Sequence, residues 1–175
     1  MFQFGDKIKA ILFDIDGVLT DGSITLDAQG EEVKSFHVRD GQLIRFMQEK
    51  GIVFGTISGR KSTAAETRMK ALKIDFVRLG QEDKLDAYVQ FKKEFKLKDE
   101  NIVYLGDDVI DIPIFKEVGL AIAPADASPF VLPHVKHQTR KPGGRGVLRE
   151  VIDALILERG WNIWGEDRPG IGFKR

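Results

Sequence analysis

The chain is organised around the stretch Ile11-Leu12-Phe13-Asp14-Ile15-Asp16-Gly17-Val18-Leu19-Thr20-Asp21-Gly22. An apolar run from Ala10 to Phe13 leads directly into two aspartates, which predicts a buried strand that ends in a pair of carboxylates. The glycines and polar residues that follow are typical of a chain that turns sharply away from a strand. Open α/β sheets bind their ligands at the carboxyl ends of the strands, so this stretch predicts a binding site.

The carboxylates of Asp14 and Asp16 favour a metal site. Two carboxylates one residue apart repel each other unless a cation shares the site or one of them is protonated. A single aspartate here would be read as a solvated acidic turn, whereas the apolar run, the two acids and the glycine in this order indicate a divalent metal. The pattern also resembles the start of a calcium loop, but no Glu stands at the twelfth position of that template.

Composition limits the classes of function. The 175 residues are 42% hydrophobic, which suffices for one well-packed domain spanning 1–175. Basic and acidic residues number 27 each, so no net field favours nucleic acid or an anionic membrane. The chain has no cysteine, which excludes disulfides and Cys-ligated metals and is compatible with the cytoplasm. No apolar run approaches the roughly 20 residues of a membrane helix. We expect a cytoplasmic protein without a nucleic-acid or membrane partner.

The rest of the chain alternates between strand and helix patterns. Further strands are predicted at 52–57, 101–106 and 119–123, with a shorter candidate at 135–139, whereas 75–77 is too short to assign. Helical spacing predicts helices over 42–50, 62–72, 82–95 and 147–159, and residues 124–133 form a loop with one short helix. The tail 160–175 has no period. This alternation predicts an α/β fold with a mostly parallel sheet covered on both faces.

Residues 23–38 form two short alternating runs around Asp27-Ala28-Gln29-Gly30, which predicts a β-hairpin after the first strand. A lone hairpin is marginal in water. Its apolar residues therefore need cover, either on the parent domain or on another subunit. These residues are Ile24, Leu26, Val33, Phe36 and Val38.

A set of polar residues lies at the ends of the strand candidates or in the helix between them. They are Asp14, Asp16, Ser58, Lys84, Asp107, Asp108 and Asp111. The ends of parallel strands share one edge of the sheet, so residues far apart in sequence converge there. Lys84 falls in the first turn of a helix, where a cation is electrostatically disfavoured, which points to a functional role. Such a set suits Mg²⁺ and a phosphoryl group, with an aspartate as nucleophile and a second one as acid and base.

This set resembles the haloacid dehalogenase superfamily of phosphatases in four motifs, which are Asp14-x-Asp16-Gly17-Val18, Ser58, Lys84 and Gly106-Asp107-Asp108-x-x-Asp111. The resemblance implies a Rossmann-like three-layer sandwich in which Asp14 is the nucleophile and Asp16 the general acid and base. It also implies that Ser58 and Lys84 bind the phosphoryl group and that Mg²⁺ is held by Asp14, Asp107 and the backbone carbonyl of Asp16.

Asp108 and Asp111 would be supporting residues in such a site. A response-regulator receiver, a binding switch that also forms an aspartyl-phosphate, is the alternative from another class. That family places its lysine near the C-terminal end, whereas Lys84 precedes the second acidic cluster here. A catalytically idle oligomerisation module is a third interpretation, and the intact acids and lysine argue against it.

The chain leaves no room for a cap domain at either usual insertion point. From Ile8 to about Leu157 it resembles the capless phosphatases of 3-deoxy-D-manno-octulosonate 8-phosphate, through the motifs Phe36-His37-Val38-Arg39-Asp40-Gly41, Ser58-Gly59-Arg60-Lys61 and Gly143-Gly144-Arg145-Gly146. This resemblance implies a homotetramer with shared active sites and a sugar-acid phosphate as substrate. The residues it assigns to the substrate are Asp16, His37, Val38, Arg39, Asp40, Gly41, Arg45, Gly59, Arg60, Arg68 and Lys84.

Two positions depart from this family, because His37 replaces a frequent Asn and Ser58 replaces the usual Thr while keeping the hydroxyl. A related phosphatase acts on nine-carbon sialic-type acids such as 2-keto-3-deoxynononic acid 9-phosphate. That enzyme typically carries an acid at the position of Arg60, so Arg60 favours the eight-carbon substrate. Arginine also suits a sugar acid chemically, since its planar guanidinium pairs well with a carboxylate.

Overall fold

The computed structural model describes residues 2–163 and contains a six-stranded parallel sheet in the order β5-β4-β1-β6-β7-β8, with a separate antiparallel pair β2-β3. The strands are β1 (Ala10–Phe13), β2 (Thr25–Leu26), β3 (Glu32–Val33), β4 (Val53–Ser58), β5 (Phe76–Leu79), β6 (Ile102–Leu105), β7 (Leu120–Ala123) and β8 (His137–Gln138). The helices are α1 (Val38–Gln42), α2 (Ile44–Glu49), α3 (Thr63–Leu72), α4 (Lys84–Phe95), α5 (Ile112–Phe115) and α6 (Val147–Arg159).

The central strand β1 separates two hydrophobic cores. Its four residues are fully buried, and alternate side chains point to opposite faces of the sheet. Ile11 and Phe13 pack with residues of α2, α3 and α6, whereas Ala10 and Leu12 pack with residues of α4 and α5. This arrangement confirms the predicted three-layer α/β fold and explains why β1 reads as a continuous apolar run.

Several predicted boundaries differ from the structure. Residues 76 and 77 of the short run 75–77 belong to β5, an edge strand in which the guanidinium of Arg78 lies 4.2 Å from the ring centroid of Phe76. The helix predicted over 42–50 corresponds to α2 (Ile44–Glu49), and Leu43 separates it from a preceding short helix, α1, that was not predicted. The helix predicted from residue 82 begins at Lys84, because the side chain of Asp83 caps it by accepting from Leu85 N at 3.0 Å.

The predicted hairpin is present but shorter than 23–38. Only β2 and β3 pair, in the register Thr25 with Val33 and Leu26 with Glu32. Val38 is the first residue of α1 and not the end of the hairpin, because His37 Nδ1 accepts from Arg39 N and starts a helix. Residues 164–175 of the predicted tail lie outside the described residues. Between residues 2 and 163, no helix has the length and apolar character needed to cross a membrane.

Candidate active site

Asp14 follows the last residue of β1 and is 5% exposed. Its Oδ1 accepts a hydrogen bond from Ile15 N at 2.7 Å, and its Oδ2 lies 2.7 Å from Lys84 Nζ. Burial, partly offset by Lys84, raises the pKa of Asp14 to about 6. The end of the central strand therefore presents a rigid carboxylate, as the sequence predicts.

Lys84 is the first residue of α4, and its side chain is fully buried. Its Nζ bridges two carboxylates, Asp14 Oδ2 and Asp111 Oδ1, each at 2.7 Å. Burial acts to lower the pKa of Lys84, but the two carboxylates outweigh it and raise the pKa above its ordinary value. The ammonium is therefore a permanent positive charge, which explains a lysine at a helix N-terminus where a cation is otherwise disfavoured.

Asp111 orients Lys84 from the other side. Its carboxylate accepts from the hydroxyl of Tyr104 at 2.5 Å and from the backbone N–H groups of Asp107 and Asp108 at 2.9 and 3.2 Å. Gly106 permits this approach, because a Cβ there would overlap the Asp111 carboxylate. Both oxygens of Asp111 are occupied by protein donors, as expected of a residue that supports the site without binding the metal.

Asp107 presents a carboxylate that accepts no hydrogen bond from any residue between 2 and 163. It approaches the loop after β1 closely, and Gly17, at φ +80°, leaves the space that a Cβ would take from the Asp107 carboxylate. Burial, reinforced by the charges of Asp14 and Asp111, raises the pKa of Asp107 to about 8. The ionised form of Asp107 would therefore be stabilised by a cation at this position.

The acidic cluster fits a divalent cation. Ligand oxygens of Asp14, Asp107 and Asp111 lie within 4.8 Å of one another. Three carboxylates and the single ammonium of Lys84 leave two negative charges uncompensated when all four groups are ionised. Oxygen donors with this charge suit Mg²⁺, which keeps several waters and takes one or two carboxylates from the protein. Of the three, Asp107 has a carboxylate without a hydrogen-bond partner among residues 2–163, whereas both oxygens of Asp14 and of Asp111 are already in contact with protein donors.

Ser58 ends β4, the strand next to β1, and is 2% exposed. Its backbone carbonyl accepts from Gln81 N at 2.9 Å, while its hydroxyl has no hydrogen-bond partner within the described part of the chain. A hydroxyl without a protein partner at the carboxyl edge of the sheet is available to hydrogen-bond a ligand oxygen.

Asp16 is less buried than Asp14 and belongs to an ion-pair cluster that sequence analysis missed. Its Oδ1 lies 2.5 Å from Lys34 Nζ and 3.2 Å from the Thr20 hydroxyl, and its Oδ2 lies 3.8 Å from Arg60 Nε. Glu32 completes the cluster, at 2.7 Å from Arg60 Nη2 and 3.3 Å from Lys34 Nζ. The hairpin therefore contacts the site of its own chain.

The other substrate residues implied by the resemblance are scattered. Arg60 lies beside Asp16 and follows Gly59, whereas Arg45 is exposed and pairs with Glu49 at 3.0 Å. Arg68 lies on α3 with its guanidinium 5.9 Å from the ring centroid of Phe36. The structure therefore brings Gly59 and Arg60 next to the acid pair but leaves Arg45 in a separate surface pair.

The segment His37–Gly41 contributes to the packing of its own chain, chiefly through Asp40. Asp40 is 3% exposed, and its Oδ1 accepts from Arg149 N at 2.8 Å. It thereby caps α6, whose own N-cap residue Gly146 has no side chain. Burial raises the pKa of Asp40, and its Oδ2 has no hydrogen-bond partner among residues 2–163. Gly41 packs against Arg68 and Leu72 of α3.

Two residues of that segment line a cleft with a volume of about 760 Å³. None of the catalytic candidates lines this cleft. His37 and Arg39 meet the start of α6 and the loop before it, and Val38 between them is 65% exposed. The cleft is basic, with Arg39, Arg140, Lys141, Arg145 and Arg149 in its lining. The residues that the resemblance assigns to one substrate thus occupy two surfaces of one chain.

A family model described as haloacid dehalogenase-like hydrolase matches residues 79–151, which include Lys84, Asp107 and Asp111 of this site. The 3-deoxy-D-manno-octulosonate 8-phosphate phosphatase of Escherichia coli K12 is 42% identical over 155 residues, which cover 89% of this chain and 82% of that protein. The crystal structure of the Yersinia pestis phosphatase of the same name has a TM-score of 0.86 and 41% identity, covering 90% of this chain and 85% of that one.

A third relative, from Moraxella catarrhalis, was crystallised in complex with a magnesium ion, a phosphate ion and a KDO molecule. Its TM-score is 0.84 and its identity 33%, with 89% of each chain covered. The chain therefore belongs to the family of 3-deoxy-D-manno-octulosonate 8-phosphate phosphatases within the haloacid dehalogenase-like hydrolases. The predicted superfamily and fold class are confirmed.

Proposed function

We propose that the protein, as a single phosphatase domain, is a magnesium-dependent enzyme that hydrolyses 3-deoxy-D-manno-octulosonate 8-phosphate to the free sugar acid and phosphate. In its relatives this reaction is part of lipopolysaccharide precursor synthesis, as the resemblance implies. The observation that carries the proposal is the Asp14 carboxylate, held by buried Lys84 at the end of β1 beside the free carboxylate of Asp107. The choice of substrate rests on the relatives of that name, which are 41–42% identical to this chain along most of its length.

In this mechanism the Asp14 carboxylate attacks phosphorus, and the bond from phosphorus to the sugar oxygen breaks as an aspartyl-phosphate forms. Asp16 donates a proton to the departing sugar oxygen and then takes one from the water that hydrolyses the intermediate. Lys84 and the Ser58 hydroxyl bind phosphoryl oxygens and stabilise the charge that develops on them. Asp14, Asp107 and the Asp16 backbone carbonyl would hold Mg²⁺, which would supply further neutralisation of that charge.

Magnesium binding is expected to release protons and to tighten as pH rises. With pKa values of about 6 for Asp14 and about 8 for Asp107, the metal-free site is largely protonated at Asp107 at pH 7. Metal ligands must be deprotonated, so binding should release about one proton at pH 7 and fewer at pH 9. Calorimetric titration of Mg²⁺ in buffers of different ionisation enthalpy measures this number.

The Asp107→Asn variant should bind magnesium more weakly and release fewer protons, whereas Asp86→Asn, an exposed change on α4, should match the wild type. An unchanged magnesium titration in Asp107→Asn, or binding without proton release at pH 7, would contradict the assignment.

The substrate proposal predicts a preference for the eight-carbon acid. Arg60 stands beside Asp16, where a guanidinium pairs with a sugar-acid carboxylate. With magnesium, kcat/KM for 3-deoxy-D-manno-octulosonate 8-phosphate should exceed that for 2-keto-3-deoxynononic acid 9-phosphate by about ten-fold or more, or about 1.4 kcal/mol of transition-state binding. A phosphate-release assay on a panel of sugar-acid phosphates measures both values. Equal kcat/KM values, or a higher value for the nine-carbon substrate, would contradict the proposed substrate.

The proposal includes a cytoplasmic homotetramer with shared active sites. Its support is the hairpin, because Ile24, Leu26 and Val33 are 60%, 61% and 49% exposed although a folded chain usually covers such residues. Phe36, in contrast, packs on the core of its own chain. Apolar hairpins of several subunits would bury each other and pair their open edges. Neighbouring subunits would also bring the two separated sets of substrate residues together.

Replacing Leu26 with Asp is therefore expected to dissociate the assembly, because it places a charge in the apolar contact between hairpins. The control is Val89→Asp, which changes an apolar residue of α4 that is 52% exposed and should leave the assembly intact. Light scattering gives the mass in solution, and phosphate release gives the activity. A wild-type chain that is monomeric and fully active at micromolar concentration would rule out the shared site.

A further inference from the structure

The hairpin carries two charged residues toward the active site, and both lie outside the sequence motifs quoted above. Glu32 in β3 and Lys34 just after it are two residues apart, so their side chains point to the same side of an extended chain. Their side chains are 14% and 2% exposed, whereas Val33 between them is 49% exposed on the other side. The alternation therefore buries two opposite charges beside Asp16 and Arg60.

We infer that Glu32 is a specificity-determining positioning residue, which holds the guanidinium of Arg60 in place for the sugar acid. This inference rests on the proposed function, because it assigns to Arg60 the contact with the non-reacting part of the substrate. Glu32 itself touches neither the phosphoryl group nor the reacting carboxylates, and its effect passes through Arg60.

The geometry of Arg60 shows why it needs such an anchor. Its side chain is 53% exposed, and its closest ion-pair contact is Nη2 to Glu32 Oε1 at 2.7 Å, while its Nε lies 3.8 Å from Asp16 Oδ2. An arginine that is free in solvent loses rotamer entropy when it is ordered. A partner that orders it in the free enzyme removes that cost from substrate binding.

The anchor leaves the guanidinium able to bind a ligand. Arginine has five N–H donors, and the Glu32 contact is made at Nη2. Donors on the remaining nitrogens stay available for a carboxylate or hydroxyl of the sugar acid. Glu32 is itself fixed by Lys34, whose ammonium lies 3.3 Å from Glu32 Oε2 and 2.5 Å from Asp16 Oδ1.

The positive and negative charges of the ion-pair cluster around Glu32 are equal in number, unlike those of the acidic cluster around Asp14. Asp16 and Glu32 are matched by Lys34 and Arg60, whereas Asp14, Asp107 and Asp111 exceed the charge of Lys84. The excess negative charge around Asp14 attracts a cation, whereas the balanced ion pairs around Asp16 hold side chains in place. Removal of Glu32 should therefore change recognition of the sugar more than phosphoryl transfer.

The test compares Glu32→Gln with Glu31→Gln, an exposed neighbour whose side chain makes no ion pair within residues 2–163. For 3-deoxy-D-manno-octulosonate 8-phosphate, Glu32→Gln should raise KM about ten-fold with a much smaller change in kcat, because it weakens ground-state and transition-state binding alike. With p-nitrophenyl phosphate, which has no sugar acid for Arg60 to bind, the loss in kcat/KM should be several-fold smaller. Glu31→Gln should match the wild type on both substrates.

A double-mutant cycle with Arg60→Gln separates positioning from a general structural effect. If Glu32 acts through Arg60, adding Glu32→Gln to Arg60→Gln should cause little further rise in KM. Equal losses on both substrates, or full additivity with Arg60→Gln, would overturn the inference, and so would a Glu32→Gln variant that behaves like Glu31→Gln. A wild-type protein active on p-nitrophenyl phosphate but not on the sugar-acid phosphate would instead remove the proposed function, and this inference with it.

Discussion

The Asp14→Asn variant is expected to fold normally and to release phosphate at least about 10³-fold more slowly than the wild type. An amide has nearly the shape of the carboxylate but is not a nucleophile toward phosphorus. The backbone bond from Ile15 N to Asp14 Oδ1 can be kept by the amide oxygen, so the loop after β1 should retain its conformation. The loss should appear on every substrate, since the same carboxylate attacks each of them.

The matched control is Asp86→Asn, which makes the same chemical change at an exposed position of α4 and should leave kcat unchanged. Circular dichroism verifies folding, and brief incubation with labelled substrate followed by acid quenching detects the aspartyl-phosphate. The wild type should show acid-stable label on the protein, whereas Asp14→Asn should show none. Near-normal turnover by a folded Asp14→Asn protein would eliminate Asp14 as the nucleophile.

The sequence predicts the central features of this fold because their signals are local. The apolar run before Asp14 is continuous since β1 is buried on both faces, and the acids mark where the strand leaves the sheet. Lys84 is conspicuous because its position opposes the helix dipole, and the structure supplies the two carboxylates that compensate for it. Features of this kind can be read without knowing the tertiary contacts.

The missed residues depend on contacts between distant segments. Tyr104 lies in the apolar strand β6, where nothing in the pattern shows that its hydroxyl reaches Asp111. Glu32 and Lys34 become part of the site only because the hairpin folds onto Arg60 and Asp16. A hairpin sequence determines the local turn but not the surface on which it docks.

The contact made by Asp40 likewise could not be predicted from the local sequence. The resemblance assigns Asp40 to the substrate, whereas in the structure one of its oxygens accepts from Arg149 N, 109 residues away, and caps a helix. That role follows from the lack of a side chain at Gly146, the N-cap residue of α6, which gains meaning only when α1 is known to pack beside α6. Helix capping by a distant residue leaves no local pattern.

Replacing Lys84 with Met is expected to reduce both activity and stability, and the loss of stability should depend on pH. Methionine has a similar length but leaves Asp14 and Asp111 without the cation that each contacts at 2.7 Å. Removing one partner of a buried ion pair typically costs about 3–5 kcal/mol, and here one cation serves two carboxylates. Turnover should fall by at least about 10³-fold, because the phosphoryl oxygens lose a cationic donor.

The pH dependence follows from the direction in which the pKa of Asp14 is shifted. Burial already raises this pKa to about 6, and loss of Lys84 removes the charge that opposes the rise. A carboxyl group with a raised folded-state pKa favours folding at low pH and loses that contribution as pH rises through the pKa. The difference in melting temperature between Lys84→Met and the wild type, both free of metal, should therefore be small at pH 5 and large at pH 8.

Lys93→Met, a lysine of the same helix that is exposed to solvent, provides the control and should melt like the wild type at both pH values. Thermal unfolding followed by circular dichroism at pH 5 and pH 8 gives the two differences. Since protonation can neutralise the unpaired carboxylates only at low pH, a destabilisation of Lys84→Met that is equal at both pH values would show that lost packing, and not lost charge, is responsible. A pH-dependent destabilisation together with lost turnover would instead assign both effects to the ammonium group that bridges Asp14 and Asp111.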